Sequence, residues 1–233
     1  MKTIDLVMIS WPRDSARLEY LEKSLGSFRR YITAARHKID AYISLETLDV
    51  STENFLAARE ICAKFAARPY WRNFPPSLGG NMNDALMLGH GDFKLLSQDD
   101  WAWNTPLDIS DDADFLETAG KYALIRYATF YTEFDYPTIG NIQYPREYQS
   151  IKMDGPYSYG DQPHLRRGDF ATRKSATGGK PVGFYDVGGP GDYATPENNM
   201  QAHLIENGWK IAAYNPNVVD HCGSLSSCPT RRG

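Results

Sequence analysis

The segment "KLLSQDDWAW", residues 94 to 103, places Asp99 and Asp100 directly behind a short apolar run and ahead of Trp101 and Trp103. Two adjacent carboxylates repel each other, so a pair at the end of a buried strand calls for positive charge nearby, either a metal ion or basic side chains. Paired carboxylates suit a hard divalent cation, which takes oxygen ligands and keeps open positions for phosphate oxygens. His221, in "VVDHCG", adds an imidazole from a distant part of the chain. Mn2+ accepts such a mixed set more readily than Mg2+. The bland alternatives are that Asp100 caps the segment after it and that His221 is a hydrogen-bonded loop histidine. A second pair, Asp111 and Asp112 in "ISDDADF", lies in a polar stretch, reads as a solvated loop and serves as the control.

Other side chains invite roles. Trp101 and Trp103 suit either a stacking platform for an acceptor or the core beside a sheet. His164 and Arg166, with Arg167, suit a donor phosphate or an anionic acceptor, while the cluster "LRRGDFATRK" (Arg166, Arg167, Arg173, Lys174) also reads as a solvated surface. Gly178, Gly179, Gly188, Gly189 and Gly191 predict a mobile loop over the site. Lys180 follows Gly179 without the GxxxxGK[ST] spacing of a phosphate-cradling loop, and no GxGxxG follows the first strand.

The elements that must position these groups alternate. "TIDLVMIS" predicts a buried strand, and "SARLEYLEKSLGSFRRYI" a helix with Leu18, Leu21, Leu25 and Phe28 on one face. "KIDAYISLET" is a second strand, and "TENFLAAREICAKFAAR" a helix capped by Thr52. "YWRNFPPSLGG" reads as an aromatic loop before a short helix, "NMNDALMLGH", and the strand "FKLLS". Such alternation implies βαβ units, a largely parallel sheet and ligands outside the carboxyl ends of its strands. From Trp103 to Tyr193 the chain is rich in Gly, Pro, Tyr and Asp after "DFLETAGKYALIRYATFY", which suits binding loops or lids. "TPENNMQAHLIENGW" predicts a helix with Thr195 as cap, Pro196 at the first position, Glu197 on the N-terminal dipole and Gly208 closing it. Met200, Leu204 and Ile205 form its buried side, and "KIAAYNPNVVDHCG" supplies a last strand and the loop of His221.

The 233 residues suffice for one substantial domain or two small ones. With 25 basic and 29 acidic residues, no global field favours nucleic acid. No apolar run approaches the roughly 18 residues of a membrane span, so no transmembrane segment is expected. The start, "MKTIDLVMISWPRD", reads as a first strand rather than a signal peptide. Three scattered cysteines without a CxxC pair make a reduced, cytoplasmic setting the expectation.

The order of these parts resembles the nucleotide-sugar-dependent glycosyltransferases of the GT-A fold, particularly the family 2-like group. Three stretches carry the likeness: "IDLVMISWPRDSARLEYLEKSLGSF", "SLGGNMNDALMLGHGDFKLLSQDDW" with "QDD" at the place of a DxD-type motif, and "PENNMQAHLIENGWKIAAYNPNVVDHCG". They cover about half the chain, and residues 104 to 190 match no pattern. The resemblance implies an α/β, Rossmann-like, mixed but mainly parallel sheet flanked by helices, with a loop-rich acceptor region. It implies one domain over residues 1–233, a nucleotide-binding half over 1–103 and an acceptor-binding half over 104–233 that carries the metal-binding histidine.

The roles it implies run residue by residue. Asp100 and His221 would hold Mn2+ or Mg2+ against the donor diphosphate, and Asp99 would sit beside them, on the ribose or on the ion through water. Ser10, Trp11 and Arg13 would lie against the nucleotide, and Glu46, where many relatives carry Asp, would accept a hydrogen bond from the base. Glu197 would be the catalytic base; Trp101, His164 and Arg166 are acceptor-side candidates from their residue types alone, outside the resemblance. The family pattern has two adjacent acids at Glu197, where this chain continues with Asn198 and Asn199. If the second acid is the base, Asn198 replaces it and Glu197 serves acceptor binding. The implied activity is metal-dependent, inverting transfer of a sugar from a nucleotide diphosphate donor, such as a UDP-sugar, to an acceptor hydroxyl on a glycan, a lipid-linked molecule or modified DNA. The alternatives are a phage-type enzyme acting on a hydroxymethylated DNA base, a nucleotidyltransferase, and a non-catalytic glycan-binding module.

Overall fold

A computed structural model describes residues 1–73, 77–128, 133–139, 148–154, 159–160, 162–168, 194–214 and 217–223, with the backbone alone at 135–139 and 194–196. The glycine-rich segment through Gly178 and Gly191, Arg173, Lys174 and the capping side chains of Thr195 and Pro196 lie outside those described residues.

The chain opens with β1 (Thr3–Ser10), followed by α1 (Ser15–Tyr31), the short β2 (Ile32–Thr33) and β3 (Lys38–Glu46). Next come α2 (Thr52–Lys64), β4 (Arg68–Arg72), α3 (Leu78–Leu86) and β5 (Phe93–Gln98). Beyond the aspartates lie β6 (Trp101–Trp103), β7 (Leu107–Asp108), α4 (Ser110–Thr118) and β8 (Tyr122–Arg126). The remainder is β9 (Phe134–Ile139), β10 (Tyr148–Ile151), β11 (His164–Arg167), α5 (Ala194–Glu206), β12 (Lys210–Ala213) and β13 (Val219–His221).

Among the described residues, nine strands form one sheet in the order β4-β3-β1-β5-β11-β8-β12-β10-β9. The first four are parallel, as the alternation of strands and helices predicts. Both faces of β1 are covered, which is why its sequence is a near-continuous apolar run rather than an alternating one. Leu21, Leu25 and Phe28 of α1, Ala58 and Cys62 of α2, and Phe115 and Leu116 of α4 fill one face of the sheet. Met82 and Ala85 of α3, with Met200 and Leu204 of α5, fill the other.

Local chemistry fixes the helix starts. Asp14 accepts from the Arg17 backbone N–H at 2.9 Å to cap α1. Ser51, one residue before the expected Thr52, caps α2, and Ser77 caps α3. Gly208 adopts φ +67° past the end of α5, the left-handed conformation that glycine reaches without a Cβ penalty.

Four expectations are corrected. Within the described residues, the start of the aromatic segment, Tyr70 to Arg72, belongs to a strand, β4, which pairs with β3 as far as Glu46 and Arg72, and Leu78 to Gly80 already belong to α3. Ile205 is 47% exposed, so the buried side of α5 is Met200 and Leu204. His164 and Arg166 are not on a solvated loop: they stand on β11, antiparallel between β5 and β8 in the middle of the sheet, fully buried. Asp111 and Asp112 open α4 instead of a loop, and Asp112 is fully buried.

Candidate active site

The parallel strands bring their carboxyl ends to one edge. Ser10 pairs in register with Leu45, next to Glu46, and Ile9 pairs with Gln98, next to Asp99. Asp99 and Asp100 therefore leave β5 beside the β1–α1 loop, where open α/β sheets bind ligands. The Asp99 backbone N–H donates to the Ile9 carbonyl at 3.1 Å, fixing the turn. β13 runs antiparallel to β6 with His221 opposite Trp101, and the Cys222 N–H donates to the Asp100 carbonyl at 2.6 Å. This small two-stranded sheet carries His221 to the aspartates across more than half the sequence.

Both carboxyls are buried, at 3% and 8% exposure. Ser10 Oγ donates to Asp99 Oδ2 at 2.6 Å. Arg17 Nη1 reaches Asp99 Oδ1 at 2.9 Å and Asp100 Oδ2 at 3.3 Å, so the positive charge joining the pair is an arginine from the first turn of α1. His221 Nε2 lies 3.4 Å from the same Asp100 Oδ2. Asp100 Oδ1 is buried with no hydrogen-bond partner.

The two acids titrate apart, as coupled neighbours do. Burial, reinforced by the negative neighbour Asp100, raises Asp99 to about 7 against the pull of Arg17 and Ser10. Burial also pushes Asp100 upward, but the His221 hydrogen bond and Arg17 outweigh it and hold Asp100 below the usual carboxylate value. Asp100 is thus the member that keeps its negative charge.

Among the described residues, no group of three or more His, Cys, Asp or Glu side chains is arranged to hold a metal ion. Asp99 is engaged on both oxygens by Ser10 and Arg17. The atoms that fit a divalent cation are the unpartnered Asp100 Oδ1 and the His221 imidazole. Two protein ligands suit a cation that completes its shell with phosphate oxygens and water.

Around this centre, the Trp11 indole N–H donates to the Leu48 carbonyl at 3.0 Å, and the Arg13 guanidinium stacks 4.9 Å above its ring. Trp11 therefore ties the loop after β1 to the loop after β3. Glu46, 2% exposed, accepts from Arg72 Nη1 at 2.6 Å on one oxygen, while Oε1 is buried without a partner. Arg72 also donates to Asp84 at 2.6 Å. Glu197 sits half-buried in the first turn of α5.

Trp101 and Trp103 are 6% and 2% exposed and belong to the core, with Trp101 meeting His221 edge-on at 4.9 Å. Trp101 supports the histidine and Trp103 packs edge-on against Tyr127, so neither presents a platform. His164 and Arg166 face the α3 and α5 side of the sheet, opposite Leu96 and Lys94. Burial first, then Arg166 and Arg126, hold His164 down at about 3, so it is neutral near pH 7.

Sequence reasoning missed Arg17 and Arg72. Arg17 left a trace: α1 carries no acid in its first turn and an arginine instead, against the preference of a helix N-terminus. Arg72 left none, because its partners are set by the pairing of β3 with β4.

No protein-family profile and no curated protein sequence matches the chain. Solved structures do. TarS of S. aureus matches with a TM-score of 0.61 at 11% identity, over 97% of this chain and 37% of that one. The mannosyltransferase PcManGT of Pyrobaculum calidifontis, solved with GDP-Man and Mn2+, matches with 0.58 at 8% identity, over 91% and 56%. Glucosyl-3-phosphoglycerate synthase of Mycobacterium tuberculosis, solved with Mn2+, UDP and glucosyl-3-phosphoglycerate, matches with 0.54 at 12% identity, over 94% and 72%. The architecture is the GT-A fold of these glycosyltransferases, a mainly parallel sheet with helices on both faces. This chain spans well under two thirds of TarS and of the mannosyltransferase. No helix among the described residues is long and apolar enough to cross a membrane.

Proposed function

We propose that the chain is a metal-dependent glycosyltransferase that moves a sugar from a nucleotide diphosphate donor to an acceptor hydroxyl with inversion. The observation that carries this reading is the buried Asp99–Asp100 pair at the carboxyl edge of the sheet, with His221 3.4 Å from Asp100 and one Asp100 oxygen unpartnered. Asp100 and His221 would hold the divalent cation, which when bound offsets the charge developing on the leaving diphosphate. TarS has been solved with UDP and with UDP-GlcNAc, which favours a uridine donor without excluding GDP.

In the transfer, the bond between the anomeric carbon and the diphosphate oxygen breaks, and the electron pair leaves with the nucleoside diphosphate. The acceptor oxygen bonds to that carbon, and its proton passes to a carboxylate within hydrogen-bond reach. Glu197 takes that proton in this reading. Ser10 and Arg17 hold Asp99 still, Trp11 and Arg13 line the nucleotide, and Glu46 Oε1 accepts a base N–H. Trp101 keeps the His221 ring in place.

The test is calorimetric titration of UDP and GDP into wild type and Asp100→Asn, with Mn2+ and then with EDTA. Micromolar binding that requires both Mn2+ and Asp100 supports the reading. Binding indifferent to both would remove the roles of Asp100 and His221, and no binding of either nucleotide would defeat the proposal.

A further inference from the structure

Arg17 holds the two aspartates unequally. Its Nη1 meets Asp99 at 2.9 Å, the length of a strong charge-assisted hydrogen bond, and Asp100 at a looser 3.3 Å. Asp99 Oδ2 is taken by Ser10, whereas Asp100 shares Oδ2 with His221 and leaves Oδ1 buried and unpartnered. Asp100 is the acid with capacity to spare, and it is the weaker of Arg17's two ties. The Arg17 side chain is 29% exposed, so part of its fork of donors faces outward at the mouth of the site. It springs from the first turn of α1, where backbone N–H groups and the helix dipole also favour an anion.

A cation bound through Asp100 would meet the guanidinium at close range, and the two like charges would repel. The cation and Arg17 therefore compete for one carboxylate. A diphosphate arriving with the cation removes the conflict, because its oxygens accept from both. We propose that Arg17 is a counter-charge that is handed over: it neutralises the Asp99–Asp100 pair and passes its outward donors to the donor diphosphate when a divalent cation takes Asp100. It keeps its anchor on Asp99 throughout, which positions it to stabilise the departing diphosphate. This role rests on the nucleotide-sugar reading above and adds a residue that the resemblance does not supply.

The handover predicts effects of opposite sign from one substitution. In Arg17→Gln, Mn2+ alone, followed by the paramagnetic resonance of the free ion, is expected to bind about threefold to tenfold more tightly, because no guanidinium must be displaced. UDP at saturating Mn2+ is expected to bind about tenfold more weakly, for loss of a charge-assisted phosphate contact. Uridine is expected to bind wild type and variant alike, and Arg17→Lys to recover part of the UDP loss. Far-UV circular dichroism and the thermal midpoint report whether the variants are folded. Mn2+ and UDP affinities that fall together, or that both stay at wild-type values, would overturn the handover while leaving the glycosyltransferase reading intact. A wild type that binds neither Mn2+ nor UDP and GDP would overturn both.

Discussion

Asp112 offers the sharpest test of how this chain spends a buried charge. Its Oδ2 accepts from the Tyr127 hydroxyl at 2.8 Å, and its Oδ1 from Tyr148 at 2.7 Å and from Tyr214. Tyr127, Tyr148 and Asp112 are fully buried, whereas Tyr214 is half-buried. The carboxyl pins α4 to β8, to β10 and to the end of β12, which are distant in sequence. Asp112→Ala removes the carboxylate that the two sealed hydroxyls share, at about 2 kcal/mol each, while Tyr214 can be rehydrated. The expected cost is about 4 kcal/mol, a large fraction of the roughly 5–15 kcal/mol that holds a domain together. Asp112→Asn keeps the shape and one acceptor oxygen and is expected to cost about half as much. The internal control is Asp111→Ala: among the described residues Asp111 pairs with Arg36 alone, whose side chain is 51% exposed, and its loss is expected to cost less than about 0.5 kcal/mol. Urea denaturation followed by tryptophan fluorescence measures all three, and near-UV dichroism reports the tyrosines. Equal costs for Asp112→Ala and Asp111→Ala would refute the reasoning, since the network would then add nothing beyond a surface ion pair.

Two further outcomes follow from buried charge. His164 titrates at about 3 in the fold against 6.5 unfolded, so below pH 6.5 the unfolded chain takes the proton first and stability falls as pH drops toward 3. Wild type is expected to lose about 2 kcal/mol more than His164→Leu between pH 7 and pH 5, read from urea midpoints, and identical losses would contradict the burial of a neutral imidazole. Arg72→Met strands the Glu46 carboxylate in the core and is expected to cost about 3–5 kcal/mol, with Glu46→Gln added to it recovering part of the loss. A double variant no more stable than Arg72→Met would show that the ion pair is not what Arg72 supplies.

The sequence by itself determined most elements of residues 1–103, β4 excepted, because those depend on local pattern. The apolar residues of segments 4–9 and 93–96 and the 3.6-residue spacing of Leu21, Leu25 and Phe28 act within a few neighbours, whereas the cap of α2 fell at Ser51, one residue before the expected Thr52. The placing of Asp99 and Asp100 at a strand end beside the first loop was legible for the same reason, as was the glycine that ends α5. The element type of residues 164–167 was not legible, because β11 exists only by pairing antiparallel with strands on either side of it.

What each charge meets was decided by tertiary structure alone. "DD" occurs twice, and the local contrast, an apolar run before one pair and a polar stretch around the other, does not say what either meets. One takes Arg17, 82 residues away, and Ser10, 89 away, while the other divides between an exposed arginine and three tyrosines, the farthest 102 residues distant. A carboxylate's free energy depends on how much water the fold removes and which donors it brings within about 3 Å. Both are properties of packed surfaces that do not exist until distant strands and helices meet.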